Sequence, residues 1–190
     1  LLRGDIRSPA EVVAPGGVRA LAGLQADFGL APDAPEAERR VALAQWVTNP
    51  QNPLFPRVIV NRLWHHVFGR GLVATPDNFG KLGDLPTHPE LLDWLAARFV
   101  RDGWSLKQLH RWILTSATYA QAATRGSKEA AMDPENRWLG RFSTRRLEAE
   151  QIRDALFAVT GELDLTSGGP AADATRPRRT VYTRVTRNVR

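Results

Sequence analysis

Cysteine is absent from the 190 residues, which excludes disulfides, thiolate metal ligands, a cysteine nucleophile and covalent c-type haem attachment in this stretch. The absence is compatible with export and does not demonstrate it. No window approaches the roughly 18 consecutive apolar residues that a membrane span requires. There is no His-x-x-x-His pair, no HExxH, no Gly-x-Ser-x-Gly and no P-loop. The usual signatures of zinc hydrolases, serine hydrolases and phosphate-cradling loops are therefore missing. Lysine is scarce as well, three residues against 23 arginines.

What is present suffices for a packed core. Hydrophobic residues make up 43% and charged residues 24%, with six tryptophans, a composition of globular rather than disordered chains. The length fits one domain, with or without a tail. The first residue is Leu1 rather than Met, and Arg190 interrupts an alternating run, so the chain is expected to be a piece of a longer one. The net charge of +6 is concentrated at one end. Residues 171–190 carry Arg176, Arg178, Arg179, Arg184, Arg187 and Arg190 against Asp173 alone, which leaves the rest of the chain close to neutral.

Periodicity and punctuation divide the chain into three parts. Residues 1–34, rich in Pro and Gly, read as an extended segment lying over the body. Residues 35–161 read as a helical domain, and 162–190 as a Gly/Ala-rich linker followed by the basic tail. Within the body the spacing predicts helices over about 35–47, with Leu43, Trp46 and Val47 inward, and over about 57–68, closed by Gly69. Thr87 with Glu90, and Ser105 with Gln108, have the capping-box pattern ahead of helices that bury Leu91, Leu92, Trp94, Leu95 and Phe99, then Leu106, Leu109, Trp112 and Ile113. Asp133-Pro134 is expected to open a short helix through Leu139, and Ser143 or Thr144 to cap a last helix over about 145–160. Arg179–Val185 alternates in the manner of a strand. The expected fold is mainly α: an irregular bundle of about six helices joined by long Pro/Gly-rich loops, with a short strand near the C-terminus.

Few residues suggest chemistry. His65 and His66 are adjacent on a helix and point about 100° apart, so they do not share a metal easily; His66, His88 and Asp77 would have to converge from separate segments. Metal binding and any cofactor within this chain are not expected. Arg146 and Glu150 lie in a helix where acids and arginines interleave, as on a solvated face or in a buried network beside a pocket. Asn61 and Arg62 interrupt the most apolar helix, and a buried Asn or Arg must find partners. They are expected to tie down the following Thr75–Gly80 loop, with pocket lining as the alternative. Arg3-Gly4-Asp5 carries no weight in isolation. The tryptophans fall at helical core positions without the basic interleaving of a base-stacking platform.

A series of segments in fixed order resembles the planctomycete-type Domain of Unknown Function 1553 family. It runs through Asn52-Pro53-Leu54, Val60-Asn61-Arg62, Phe68-Gly69-Arg70-Gly71, Thr75-Pro76-Asp77-Asn78-Phe79-Gly80 and Pro86-Thr87-His88-Pro89-Glu90. It continues through Asp133-Pro134-Glu135-Asn136, Arg145-Arg146-Leu147-Glu148-Ala149-Glu150, Gly168-Gly169-Pro170 and Val181-Tyr182-Thr183. Ala120-Gln121-Ala122-Ala123 departs from it, since the family usually has Arg and Ser there. The resemblance implies a C-terminal module of large exported proteins that often carry a cytochrome-c-like domain, hence an extracytoplasmic location and sister domains as partners. It implies no particular reaction.

Three readings follow. The first is an accessory helical module that packs on its sister domains and helps form a binding surface. The second is part of an extracytoplasmic enzyme, polysaccharide-directed or linked to haem redox chemistry, with a pocket among Asn61, Arg62, His66, Asp77, His88, Arg146 and Glu150. The third is nucleic-acid binding through the arginine tail, which a near-neutral body disfavours.

Overall fold

Apolar residues at helical spacing become helices almost wherever they recur. In the computed structural model, which describes residues 2–124 and 126–185, these are α1 (Glu36–Val47), α2 (Phe55–Phe68), α3 (Pro89–Arg101), α4 (Leu106–Leu114), α5 (Ser127–Met132) and α6 (Ala149–Thr160). Short 3-10 turns lie at Leu2–Gly4 and Thr180–Tyr182. Extended pairing among the described residues is limited to isolated bridges such as Gly16–Asp27 and Ala172–Thr183. The fold is mainly α, and no described helix is long and apolar enough to cross a membrane. The chain forms two compact units, Leu1–Ser143 and Thr144–Arg190.

The core of the first unit is made by α2, α3 and α4. Val60, Trp64 and Phe68 recur every fourth residue on α2 and meet Leu92, Leu95, Ala96 and Phe99 of α3 and Leu109 and Ile113 of α4. Each large aliphatic or aromatic side chain buried in this way contributes about 1.5–3 kcal/mol. The helix ends are specified locally. Asn52, almost fully buried, donates from its amide to the carbonyls of Trp46 and Val47 at the end of α1. Its side-chain oxygen accepts from the N–H groups of Leu54 and Phe55 at the start of α2, so one carboxamide terminates one helix and opens the next. At the end of α3 the Trp104 N–H bonds Phe99 O and the Gly103 N–H bonds Val100 O, with the two rings 5.2 Å apart. This is a Schellman ending with its hydrophobic contact, and it holds Trp104 at φ 62°.

Some expectations required correction. Residues 133–139 form turns, and the short helix lies upstream as α5. The Asp133 carboxylate accepts from the N–H groups of Arg137 and Trp138, a local arrangement that competes with helix formation. Helix α6 begins at Ala149 with Glu148 and Gln151 as its capping box, rather than at Arg145. The Ser105 hydroxyl does accept from the Gln108 N–H, whereas Thr87 caps nothing: its N–H and hydroxyl both donate to Leu72 O. Thr180–Tyr182 is a 3-10 turn inside the stretch expected to be a strand. Trp94 and Trp138, expected inward, are 52% and 67% exposed. Leu43 of α1 also faces solvent, and α1 is held instead by Trp46, whose ring lies against Gly17 and 6.5 Å from Phe28.

In the second unit α6 is secured to the residues that follow it. The Arg153 guanidinium donates to the carbonyls of Ala174, Arg176 and Arg178 and to the Thr180 hydroxyl. The Asp154 carboxylate accepts from both the N–H and the hydroxyl of Thr180. The sequence had grouped α6 with the helices before it; these bonds associate it with the 162–185 segment.

Candidate functional site

The polar residues that interrupt α2 are joined to the loop that follows it. Asn61 is fully buried, and its carboxamide clamps Val73 from both sides: the amide donates to Val73 O at 3.0 Å, and the side-chain oxygen accepts the Val73 N–H at 2.8 Å. Gly71 packs tightly against this clamp, since a Cβ there would sit 2.7 Å from both Asn61 amide atoms. One helical position on, Arg62 reaches out and pairs with Asp77 at 2.6 Å, with both side chains largely exposed. Two ties of different kinds, one dry and one wet, therefore hold the loop at positions 73 and 77.

Inside the loop, short side chains replace regular structure. The Thr75 hydroxyl donates to Asn78 O and accepts from the Asp84 N–H, and the Asn78 side chain accepts from the Gly80 N–H. Gly83 lies against the Asn78 carbonyl so closely that a Cβ there would be 2.1 Å from it. The Thr87 N–H bond to Leu72 O joins the ends, making 72–87 an Ω loop. Its stem, Leu72 and Val73, is in the core, whereas Leu82 and Leu85 are 90% and 86% exposed.

The remaining predicted site residues are placed less closely. His88 makes a 3.0 Å contact from Nδ1 to the Thr87 hydroxyl, at the point where the loop closes. His66 is exposed, one turn beyond Arg62 on α2. Arg146 and Glu150 belong to the second unit, and both are exposed. Glu150 enters that unit's bonding through its backbone carbonyl, which accepts from the Thr180 hydroxyl at 3.5 Å. The structure thus brings Asn61, Arg62 and Asp77 together as loop braces, with His88 beside the loop's closing bond. No group of three or more His, Asp or Glu side chains suited to a metal exists among the described residues.

Electrostatics are perturbed at a few points outside that set. Asp93 is held below the usual carboxylate range, chiefly by the hydrogen bond from Arg57 at 2.7 Å. Asp154 is lowered mainly by the Thr180 hydroxyl, and Tyr182 by donation from the Gly168 N–H and then the Ser167 hydroxyl. Of the tail arginines, Arg178 is committed to the fold: its guanidinium donates to Pro170 O, Thr166 O and Gly168 O and lies over the Tyr182 ring. Arg187 and Arg190 lie outside the described residues.

Sequence reasoning passed over three residues of equal structural weight. Asn52 joins two helices, and Asp133 and Asn136 are buried organisers of the 133–143 turns, where Asn136 donates to Arg141 O and the Ser143 hydroxyl. The one available signal was an Asn or Asp beside proline or in a turn-rich stretch, which is common in loops of every kind.

Against known families, the model described as PSD1, Protein of unknown function (DUF1553), matches residues 39–190, and the chain belongs to this family. No curated protein and no solved structure matches.

Proposed function

We propose, starting from that membership, that the chain is an accessory module of a larger exported protein, which docks on sister domains through a preformed loop instead of acting as an independent catalyst. The observation that carries the reading is the 72–87 loop itself. Its backbone is braced by Asn61, Arg62 and Thr87, yet it presents Leu82 and Leu85 almost wholly to solvent. Exposed leucines on a mobile loop would lose conformational freedom on binding; on a braced loop that cost falls, which favours association. The polar residues that most suggested a pocket, Asn61, Arg62 and Asp77, brace this loop. Export, and a partner such as a cytochrome-c-like domain, are supported by the resemblance described above.

The test compares hydrogen exchange of residues 71–86 in this chain alone and in the longer polypeptide. Protection should rise in the longer protein, and the double variant Leu82→Asp/Leu85→Asp should abolish the rise while changing the stability of the isolated chain by no more than about 0.5 kcal/mol. Identical exchange in both contexts, or substrate turnover by the isolated chain, would overturn the reading.

A further inference from the structure

Where α3 and α4 face each other in the first unit, a cleft of about 320 Å³ is lined by Trp64, Trp94, Trp112, Thr115, Ser116 and Thr118, among others. That volume is at the low end for small-molecule sites. The Trp94 and Trp112 rings are 6.2 Å apart and inclined by 57°, and Trp94 is half exposed. The Arg98 guanidinium lies over both rings, 5.8 and 4.9 Å from the Trp94 and Trp112 centroids, and is itself bonded to Asp102. The cation is therefore compensated, and none of the lining side chains is ionised.

Polar groups with unused capacity share this wall. The Thr115 and Ser116 hydroxyls donate to Arg111 O and Ile113 O, and Ser116 also accepts from the Tyr119 N–H, so the Thr115 oxygen keeps its acceptor lone pairs and the Ser116 oxygen keeps one. Trp64 is 3% exposed and its indole nitrogen is sealed from solvent, so it gives the wall apolar surface and no donor to a ligand.

We infer that this cleft is a binding site for a pyranose ring of a neutral oligosaccharide. A sugar ring has an apolar C–H face that complements the electron-rich face of an indole. Around its rim it carries hydroxyls whose protons can be donated to the threonine and serine oxygens of the wall. A polyproline peptide would also stack on tryptophan, but it offers only carbonyl acceptors and would leave the hydroxyl oxygens of the wall unmatched. An acidic sugar would find Arg98 already paired with Asp102. The cleft shares no lining residue with the 72–87 loop, so either reading can fail without the other.

The experiment titrates the full chain with cellohexaose, maltohexaose and mannohexaose, read by calorimetry and tryptophan fluorescence. At least one should bind; Trp94→Ala and Trp112→Ala should each weaken it about tenfold or more, and Trp94→Phe should retain most of the affinity. Trp94 is half exposed, so its replacement should leave the helical circular dichroism unchanged. Three outcomes overturn the assignment: no binding of any hexaose at about 10 mM, binding indifferent to both alanine variants, or tighter Trp-dependent binding of hexagalacturonate or decaproline.

Discussion

Replacing Asn61 by alanine tests whether the 72–87 loop is held by one buried carboxamide. The substitution removes both hydrogen bonds to Val73 at a site with no solvent exposure, so the Val73 N–H and C=O are both orphaned. Each orphaned buried group costs about 1–3 kcal/mol, giving about 2–6 kcal/mol together, before the smaller cavity penalty. That is a large part of the roughly 5–15 kcal/mol by which domains are stable, and corresponds to a melting temperature lower by about 10 °C. Asn61→Leu, which keeps the volume, should do no better, because its loss also comes from Val73. Arg62→Ala removes only an exposed ion pair, worth about 0.2–1 kcal/mol and weakened further by salt. Urea unfolding measures the three variants, with the midpoint shifting at unchanged slope, and exchange of the Val73 amide reports the clamp directly. The reasoning is refuted if Asn61→Ala costs less than about 1 kcal/mol, or no more than Arg62→Ala.

Two further outcomes follow from the same geometry. Gly71→Ala should destabilise by about 1–3 kcal/mol or more, since the added carbon would lie 2.4 Å from Val73 O and 2.7 Å from the Asn61 amide, whereas Gly80→Ala meets only the Asn78 side chain at 3.3 Å and should be nearly neutral in the same unfolding assay. Asp93 has a folded pKa below its ordinary 3.8, because Arg57 bonds its charged form; the resulting stabilisation is complete above that value and disappears as the pH falls through the lowered one. Asp93→Asn should therefore flatten the loss of stability between about pH 5 and pH 2 without steepening it at neutral pH.

The sequence made the helices legible where a single physical cause dominated. Trp64 and Phe68 at helical spacing, then Gly69, located α2 and its end, and Gly103 and Gly161 marked the ends of α3 and α6. The expectation that Asn61 and Arg62 hold the loop came from the cost of burying polar groups; that cost is met by the bonds from Asn61 to Val73, whereas Arg62 is exposed and reaches Asp77 by a surface ion pair. Errors arose where a side chain had a choice of partners. Thr87 had the spacing of a cap, but Leu72 O, 15 positions away, competes for its donors. Asp133-Pro134 had the chemistry of a helix start, yet its carboxylate served a tight turn instead. The tryptophan cleft was invisible for a similar reason. Spacing makes Trp94 and Trp112 core residues, and only the crossing of α3 and α4 decides that their rings meet at an open edge.

Asn52 has a consequence for how the protein ages. Asparagine side chains are lost over time when the backbone nitrogen of the next residue attacks the carboxamide, closing an imide that opens to aspartate. The next residue here is Pro53, whose nitrogen carries no hydrogen and cannot take part. An aspartate at this position would lack the N–H donors now given to Trp46 O and Val47 O and would set a negative charge against those carbonyls. The proline that breaks the chain between α1 and α2 thus also shields the junction from slow chemical decay.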